Sequence, residues 1–453
     1  MLKIYSFPRG GLPYIDASAP VKSPVVNAYL PTLSVIPLGN KNSRINPVVS
    51  VGEIVREGML IGRASGSGSV NAHATVPGRV IRKVTWKDKY NNDNDALVIK
   101  MEGAFEKLGR KEEVLLWSGL NGYDIQRIIS DYGIVEMENT EKPLAEMISK
   151  SRRESEKLTL VVRCVFDDPW LVSDYALCKE RMKAVIEGAA IIAKACFKVA
   201  QIIFAVSYRE KELGDELLAE SARFNIPAFL VLTGSHYPQR KTRELEIALR
   251  IYEKKEGMNL GSFLILGPSV LAAAYDAVIF KKPVLDRYVA VGGTAVKNPQ
   301  IMKIRIGTRI GEVIEQCGGF TAAPAKIVTG SPLYGKEVVY LDEPVGKTCY
   351  AIAAMSKTQA VVHKQQNCIN CGECRSVCPV GLDPQTIYKR IKTYENVSAL
   401  IENCQGCGCC RIVCPSGLPL LESILDENLK YNKSRAGAFG EVSRGTEPEV
   451  RSV

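Results

Sequence analysis

Hydrophobic and polar positions along this chain change rhythm several times, and each change marks a candidate unit. From about 35 to 100, apolar and polar residues alternate in short stretches, Gly, Val and Pro are dense, and helical periodicity is poor; this pattern predicts compact β structure. Paired strand-and-turn units are expected at Val51–Gly62 and His73–Val80. From about 110 to 280, apolar runs such as Leu158–Val165, Val199–Val206 and Ala228–Leu232 alternate with helical patterns such as Glu180–Ala195. That alternation predicts an α/β domain with a mainly parallel sheet. β character returns from about 284 to 347, where the runs Tyr288–Gly293 and Lys303–Gly307 precede a helical stretch at Gly311–Cys317, as in a small β-grasp module. The apolar run Ser262–Phe280 is broken by Gly267-Pro268 and carries Asp276, whose charge would be costly in lipid. A buried strand, a turn at Gly267-Pro268 and an apolar helix from Ser269 are expected there instead of a membrane span.

Composition narrows the picture modestly. At 453 residues, the prior of about 150 residues per domain suggests roughly three folded units. Hydrophobic residues at 46% and charged residues at 24% exclude a disordered or membrane-embedded chain. The net charge of +10 is scattered, with only short runs such as Tyr388–Lys392, and reads as solvated surface. Because these residues are not interleaved with aromatics near the cysteines, no nucleic-acid partner is expected. Met1–Pro20 lacks a basic start followed by an apolar run, so a cytoplasmic location is expected. Beyond Asn432 the composition predicts a disordered tail over 433–453. The two strand-and-turn units resemble the barrel-sandwich fold of biotinyl and lipoyl carriers. Such carriers present a swinging lysine between the units, and Ala64–Ala72 contains none, so the resemblance is to the fold and not the carrier chemistry.

Fourteen cysteines in a cytoplasmic chain do not predict disulfides. Cys164, Cys178, Cys196, Cys317 and Cys349 are scattered and read as small core residues. Eight others form two C-x-x-C-x-x-C-x-x-x-C-P runs: Cys368, Cys371, Cys374 and Cys378, then Cys404, Cys407, Cys410 and Cys414. A cubane needs four thiolates at its corners, and gaps of two residues let one tight loop supply three of them. In two-cluster ferredoxins the fourth cysteine of each run ligates the other cluster. This predicts Cys368, Cys371, Cys374 and Cys414 on one 4Fe-4S cluster and Cys404, Cys407, Cys410 and Cys378 on a second. Structural zinc usually takes two close ligands and then a long gap, whereas each run here packs four cysteines into eleven residues, with only His363 nearby. Cys409 falls off the spacing and is read as a non-ligand.

With the runs in place, the chain resembles RnfC, the peripheral cluster-bearing subunit of the ion-translocating Rnf electron-transport complex, over nearly its whole length. The resemblance is carried by Phe7-Pro8-Arg9-Gly10-Gly11, the Val51-Gly52-Glu53 and His73-Ala74 units, Val289–Pro299, Arg305–Thr308, Gly311-Glu312, Cys317-Gly318-Gly319 and the two cysteine runs. It implies an α/β multidomain architecture. Residues 1–105 would form an N-terminal region with a barrel-sandwich β domain, and 106–283 an α/β domain related to the flavin- and NADH-binding subunit of respiratory complex I. Residues 284–350 would form an SLBB-like β-grasp module and 361–428 an α-helical ferredoxin-like domain with two clusters.

Members of that family carry a glycine-rich loop, Gly-Ile-Val-Gly-Leu-Gly-Gly-Ala-Gly-Phe-Pro-Thr, whose small residues let the backbone approach FMN and NADH. Here the matching stretch begins at Gly133 and places Glu136, Glu138 and Glu141 among the glycine positions. A second flavin-site pattern, Asn-Gly-x-Glu-x-Glu-Pro, appears as Arg163–Pro169, and Tyr-Pro-Gln-Gly-Gly-Glu appears as Tyr237-Pro238-Gln239-Arg240-Lys241. Three erosions of one pocket predict that FMN and NADH, possible in the family, are absent here. The expected role is electron relay through two 4Fe-4S clusters with no catalytic residue in this chain. The partners would be other subunits of a membrane redox complex and a ferredoxin or flavoprotein, on the cytoplasmic face of the inner membrane. The alternative is a soluble NADH-oxidising flavin and iron–sulfur reductase of the corrinoid-reductase or proline-reductase-associated type.

Overall fold

The computed structural model describes residues 2–14, 16–40, 44–87, 93–105, 114–138, 141–224, 226–358 and 365–428. His363 and the tail 433–453 lie outside the described residues. The chain divides into two compact units, one comprising Met1–Ser6 with Pro13–Val361, the other Phe7–Leu12 with Val362–Val453.

The first unit begins with a β sandwich. Leu33–Asn40, Asp93–Met101, Gly78–Lys87 and Ile54–Val55 form an antiparallel sheet in that order, faced by a second sheet of Ile45–Pro47, Leu60–Ala64 and Ala72–His73. Period-2 alternation turns Ile36, Leu38, Val55, Ile61, Val80, Leu97 and Ile99 into one shared core. Gly78 is required where the strands meet, because a Cβ there would lie 2.0 Å from the Lys100 carbonyl oxygen. The lysine-free loop after Ala64 is tied down, its Gly68 N–H donating to Glu146 at 2.9 Å.

The α/β part is built on four parallel strands in the order Ala228–Thr233, Val199–Ser207, Leu158–Cys164, Ser262–Leu266. Leu158–Cys164 is central and buried at every residue, which fits its mostly apolar sequence. Its alternate residues feed two cores: Leu160 and Val162 face Met182–Cys196 and Pro268–Phe280, while Val161 faces Thr242–Glu256. The first two helices touch at Gly188, where a Cβ would lie 2.1 Å from the Leu271 carbonyl oxygen. Asp276, the charge that argues against a membrane span, pairs with both guanidinium nitrogens of Arg181 at 2.7 and 2.9 Å. Among the described residues no helix is long and apolar enough to cross a membrane.

A third sheet runs Val26–Asn27, Gln300–Arg305, Asp286–Gly292, Ala351–Met355, Lys326–Thr329, Lys336–Glu337, with Ile310–Gln316 packed over it. Ala351–Met355 lies beyond the expected β segment. Its alanines look helix-forming, but both faces are covered: Ala351 and Ala353 pack with Trp170, and Ile352 and Ala354 with Val313 and Val345. Tertiary burial overrides local propensity there.

In the second unit the described residues form helices and loops without strands: Glu373–Ser376, Pro384–Lys392, Ser398–Ile401, Cys409–Ile412 and a helix over 420–428. Asp383 caps Pro384–Lys392 by accepting the Thr386 N–H at 3.1 Å, with Pro384 in the first turn. Order along the chain groups Phe7–Leu12 with the N-terminal region, whereas in space this segment belongs with the cysteine-rich unit.

Candidate metal centres

The two cysteine runs fold as copies of each other. Each opens with a residue at positive φ, Asn370 at 56° and Gly406 at 63°, then turns through Gly372 at 78° or Gly408 at 82° into a four-residue helix. Each closes with Cys-Pro-x-Gly-Leu. In the first, Gly381 N–H reaches the Cys378 carbonyl at 3.1 Å and Leu382 N–H reaches Cys378 Sγ at 3.2 Å. In the second, Gly417 N–H reaches the Cys414 carbonyl at 3.1 Å and Leu418 N–H reaches Cys414 Sγ at 3.5 Å. Backbone donors are therefore aimed at both fourth cysteines, where they favour thiolate.

Cys368, Cys371, Cys374 and Cys414 line one cavity together with Ile369, Pro415, Leu418 and Leu420. Cys414 thus lies among the first three cysteines of the other run. Cys378 neighbours Cys407 electrostatically, and Cys410 neighbours Cys407, Cys404, Cys378 and Cys374. Burial pushes the Cys374, Cys378 and Cys410 thiols up, a cost that a bound cation would offset. The soft donor set, apolar lining and N–H···S bonds fit two cubanes. Among the described residues no three or more His, Cys, Asp or Glu side chains are grouped as for a single metal ion. Cys409 is buried and occupies the position that Glu373 holds in the first run. The five scattered cysteines are all buried, Cys164 and Cys178 side by side at 3.9 Å.

The eroded loop has a different fate. Gly133 is at φ 63°, and a Cβ there would lie 2.3 Å from the Asn71 carbonyl oxygen. After it the chain doubles back, with Glu136 N–H on the Lys142 carbonyl at 2.8 Å and Leu144 N–H on Ile134 at 3.0 Å. The three carboxylates do not act together. Glu141 is exposed and accepts from Thr348 at 3.1 Å, and Glu136 is half-buried with an oxygen 3.9 Å from Arg163. Glu138 is fully buried and bonds both Arg163 and Arg240 through one oxygen. These are the residues that replace a loop glycine, the asparagine of the second pattern and a glycine of the third. The three departures, far apart in sequence, meet in one buried ion pair.

Burial alone would push the Glu138 carboxyl up, but the charges of Arg163 and Arg240 override it and hold the group below the usual range. Its other oxygen abuts Gly267, where a Cβ would lie 2.1 Å away. Arg287, also buried, donates to the Met137 carbonyl at 3.3 Å. Beside it, a cavity lined by Met137, Arg181, Asp276, Arg287 and Lys303 holds about 230 Å³, below the ~300–1,000 Å³ of small-molecule pockets. At the positions where the resemblance expects glycine or asparagine, the buried side chains of Glu138, Arg163 and Arg240 stand instead.

Asp167 lies against the same network, accepting the Arg240 N–H at 3.1 Å, and burial raises its pKa to about 7. An acid with a folded pKa above its unfolded value near 3.8 loses stability as pH rises through that window. Asp167→Asn keeps the acceptor without the charge. Its melting temperature relative to the parent should therefore rise from pH 5 to pH 8, and a difference constant with pH would count against the buried-acid assignment.

Three family models match the chain: an RnfC barrel sandwich hybrid domain over 5–104, an SLBB domain over 288–337 and a 4Fe-4S dicluster domain over 360–415. Among curated proteins, the C subunit of the Na(+)-translocating ferredoxin:NAD(+) oxidoreductase complex of Acetobacterium woodii is 26% identical over 84% of this chain and 86% of its own length. The proton-translocating counterpart of Clostridium ljungdahlii is 26% identical over 85% of this chain and 84% of its own. The chain is RnfC-like. Among solved structures, an air-oxidised NAD+-reducing NiFe-hydrogenase matches at 14% identity and a TM-score of 0.48, covering 67% of this chain and 60% of that one. Within this RnfC-like chain the dicluster match falls on the paired cysteine runs, and the barrel match begins ahead of Phe7.

Proposed function

We propose that this chain is the iron–sulfur relay subunit of an Rnf-type oxidoreductase, accepting electrons from one partner and delivering them to another through two 4Fe-4S clusters. The observation that carries the reading is the doubled cysteine motif, supported by the cavity that Cys414 shares with Cys368, Cys371 and Cys374. Each cluster, when bound, would take up and release one electron at a time. Cys368, Cys371, Cys374 and Cys414 would hold the first, and Cys404, Cys407, Cys410 and Cys378 the second. Their loops exclude water with Leu418, Leu420 and Tyr388 and stabilise negative charge on sulfur with the Leu382 and Leu418 N–H groups.

The same reading makes the α/β part a scaffold, which the buried Glu138–Arg163–Arg240 network supports, and FMN and NADH chemistry would then belong to another subunit. Its partners would be other subunits of a membrane redox complex that couples electron flow between NADH and ferredoxin to ion movement; its relatives are named subunits of Na(+)- or proton-translocating ferredoxin:NAD(+) oxidoreductase complexes. The chain would sit peripherally on the cytoplasmic face. The third sheet with its crossing helix is read as the SLBB-like β-grasp module, and the helical unit as the ferredoxin-like domain.

The test is iron content and visible absorption of anaerobically purified protein. Eight irons per chain are expected, four per cubane, with broad absorption near ~400 nm and no flavin bands. Stoichiometric zinc would overturn the cluster assignment. Tightly bound FMN with NADH oxidation by the isolated chain would replace relay by the reductase alternative.

A further inference from the structure

The segment Phe7-Pro8-Arg9-Gly10-Gly11 carries part of the sequence resemblance and belongs to the cysteine-rich unit. It packs on the turn that carries Cys378. Gly11 N–H donates to the Val377 carbonyl at 2.9 Å. Gly10, at φ 68°, lies so close that a Cβ would stand 2.7 Å from the carbonyl carbon and oxygen of Cys378 and 2.8 Å from the Val377 oxygen. All three are backbone atoms and cannot swing aside. The Arg9 guanidinium donates to the Val380 carbonyl at 3.4 Å and lies across Gly381, where a Cβ would meet Nη2 at 2.0 Å. The next two residues carry the bonds to Cys378: Gly381 N–H to its carbonyl and Leu382 N–H to its sulfur. A cation is thereby laid over the turn that presents the fourth ligand of one cluster.

The twin turn is covered differently. At the position of Val380 stands Ser416, whose carbonyl accepts the backbone N–H of Gln366 at 2.9 Å and whose hydroxyl donates to the Asn367 carbonyl at 3.0 Å. Both partners are neutral. Near-identical Cys-Pro-x-Gly-Leu turns thus receive a guanidinium on one side and an uncharged backbone on the other.

We propose that Phe7–Leu12 is a clamp on the Cys378 turn and that Arg9, as a positioning and electrostatic residue, raises the reduction potential of the cluster ligated by Cys378 relative to what the fold alone would give. The inference rests on the two-cluster reading above. Reduction adds negative charge to a cluster, so a nearby cation stabilises the reduced form more than the oxidised one. Arg9 is exposed, so the effect is screened and shrinks with added salt.

The experiment is a redox titration followed by electron paramagnetic resonance on the full chain, with Cys378→Ser and Cys414→Ser assigning each signal. Arg9→Gln should lower the midpoint potential of the signal missing in Cys378→Ser, leave the other in place, and show a smaller shift at high salt. Arg9→Lys should restore most of the parent value. Gly10→Val should dislodge the clamp, lowering the same potential and hastening bleaching of that cluster by oxygen. If Arg9→Gln holds eight irons and neither potential moves, or if the signal missing in Cys414→Ser moves instead, the clamp assignment is wrong. Absence of iron from the parent protein would defeat the relay reading itself, a separate result.

Discussion

Cys414→Ser should halve the iron content, from about eight to about four per chain, and abolish the cluster held by Cys368, Cys371 and Cys374, although Cys414 lies in the other run. The expectation follows from the cavity that Cys414 shares with those three residues and from the Leu418 N–H on its sulfur. A serine oxygen is a harder, less polarisable donor and leaves one corner of the cubane weakly held. The surviving paramagnetic signal should be the one that Cys378→Ser removes. If Cys414→Ser instead spares the signal lost on mutating Cys368, each run ligates its own cluster and the crossed assignment fails. Because the relay needs both centres, electron transfer from a chemical reductant to a downstream acceptor should fall at least tenfold in either variant.

Glu138→Gln should be the most destabilising single substitution in the α/β part. Glu138 is buried with Arg163 and Arg240 on one oxygen, so the change takes the carboxylate from Arg240 and leaves Arg163 only the longer Glu136 contact at 3.9 Å. Breaking a buried pair from one side costs about 3–5 kcal/mol, a fall of roughly 10 °C in melting temperature. The depressed carboxyl contributes stability that is present above its unfolded value near 4.5 and lost as pH falls through the folded one. The parent should therefore lose its advantage over the variant in acid. Restoring glycine at Glu138 alone does not reopen a nucleotide site; it strands the arginines. The combined Glu138→Gly, Arg163→Asn, Arg240→Gly variant removes the whole network and should cost less than the sum of the single changes. It is also the variant expected to gain nucleotide affinity by calorimetry. A near-neutral Glu138→Gln, or strictly additive costs, would show that the ion pair does not hold this region together.

Much of the fold was legible because its signals are local. The run Leu158–Val165 is apolar apart from Thr159 and Arg163, a density that fits a strand covered on both faces, and the structure has Leu158–Cys164 at the centre of a parallel sheet. Gly267-Pro268 marked the break between the strand Ser262–Leu266 and the helix Pro268–Phe280. Ala351–Met355 escaped, because alanine carries no strand signal until both faces of the sheet are known.

The cysteine spacing by itself determined the donor set, since cubane ligation is encoded in gaps of two and three residues within a single loop. Sequence likewise exposed three departures in the flavin pocket, but as separate losses. Only the tertiary structure brought Glu138, Arg163 and Arg240 onto one another and showed that the losses compensate: charge pairing depends on distance in space, and these residues lie 25 to 102 positions apart. For the same reason a glycine in an N-terminal Phe-Pro-Arg-Gly-Gly segment could not announce from sequence that its missing Cβ makes room for the backbone of Cys378. Local chemistry is written in spacing along the chain, whereas burial, close backbone approach and the pairing of charges exist only once the chain has closed on itself.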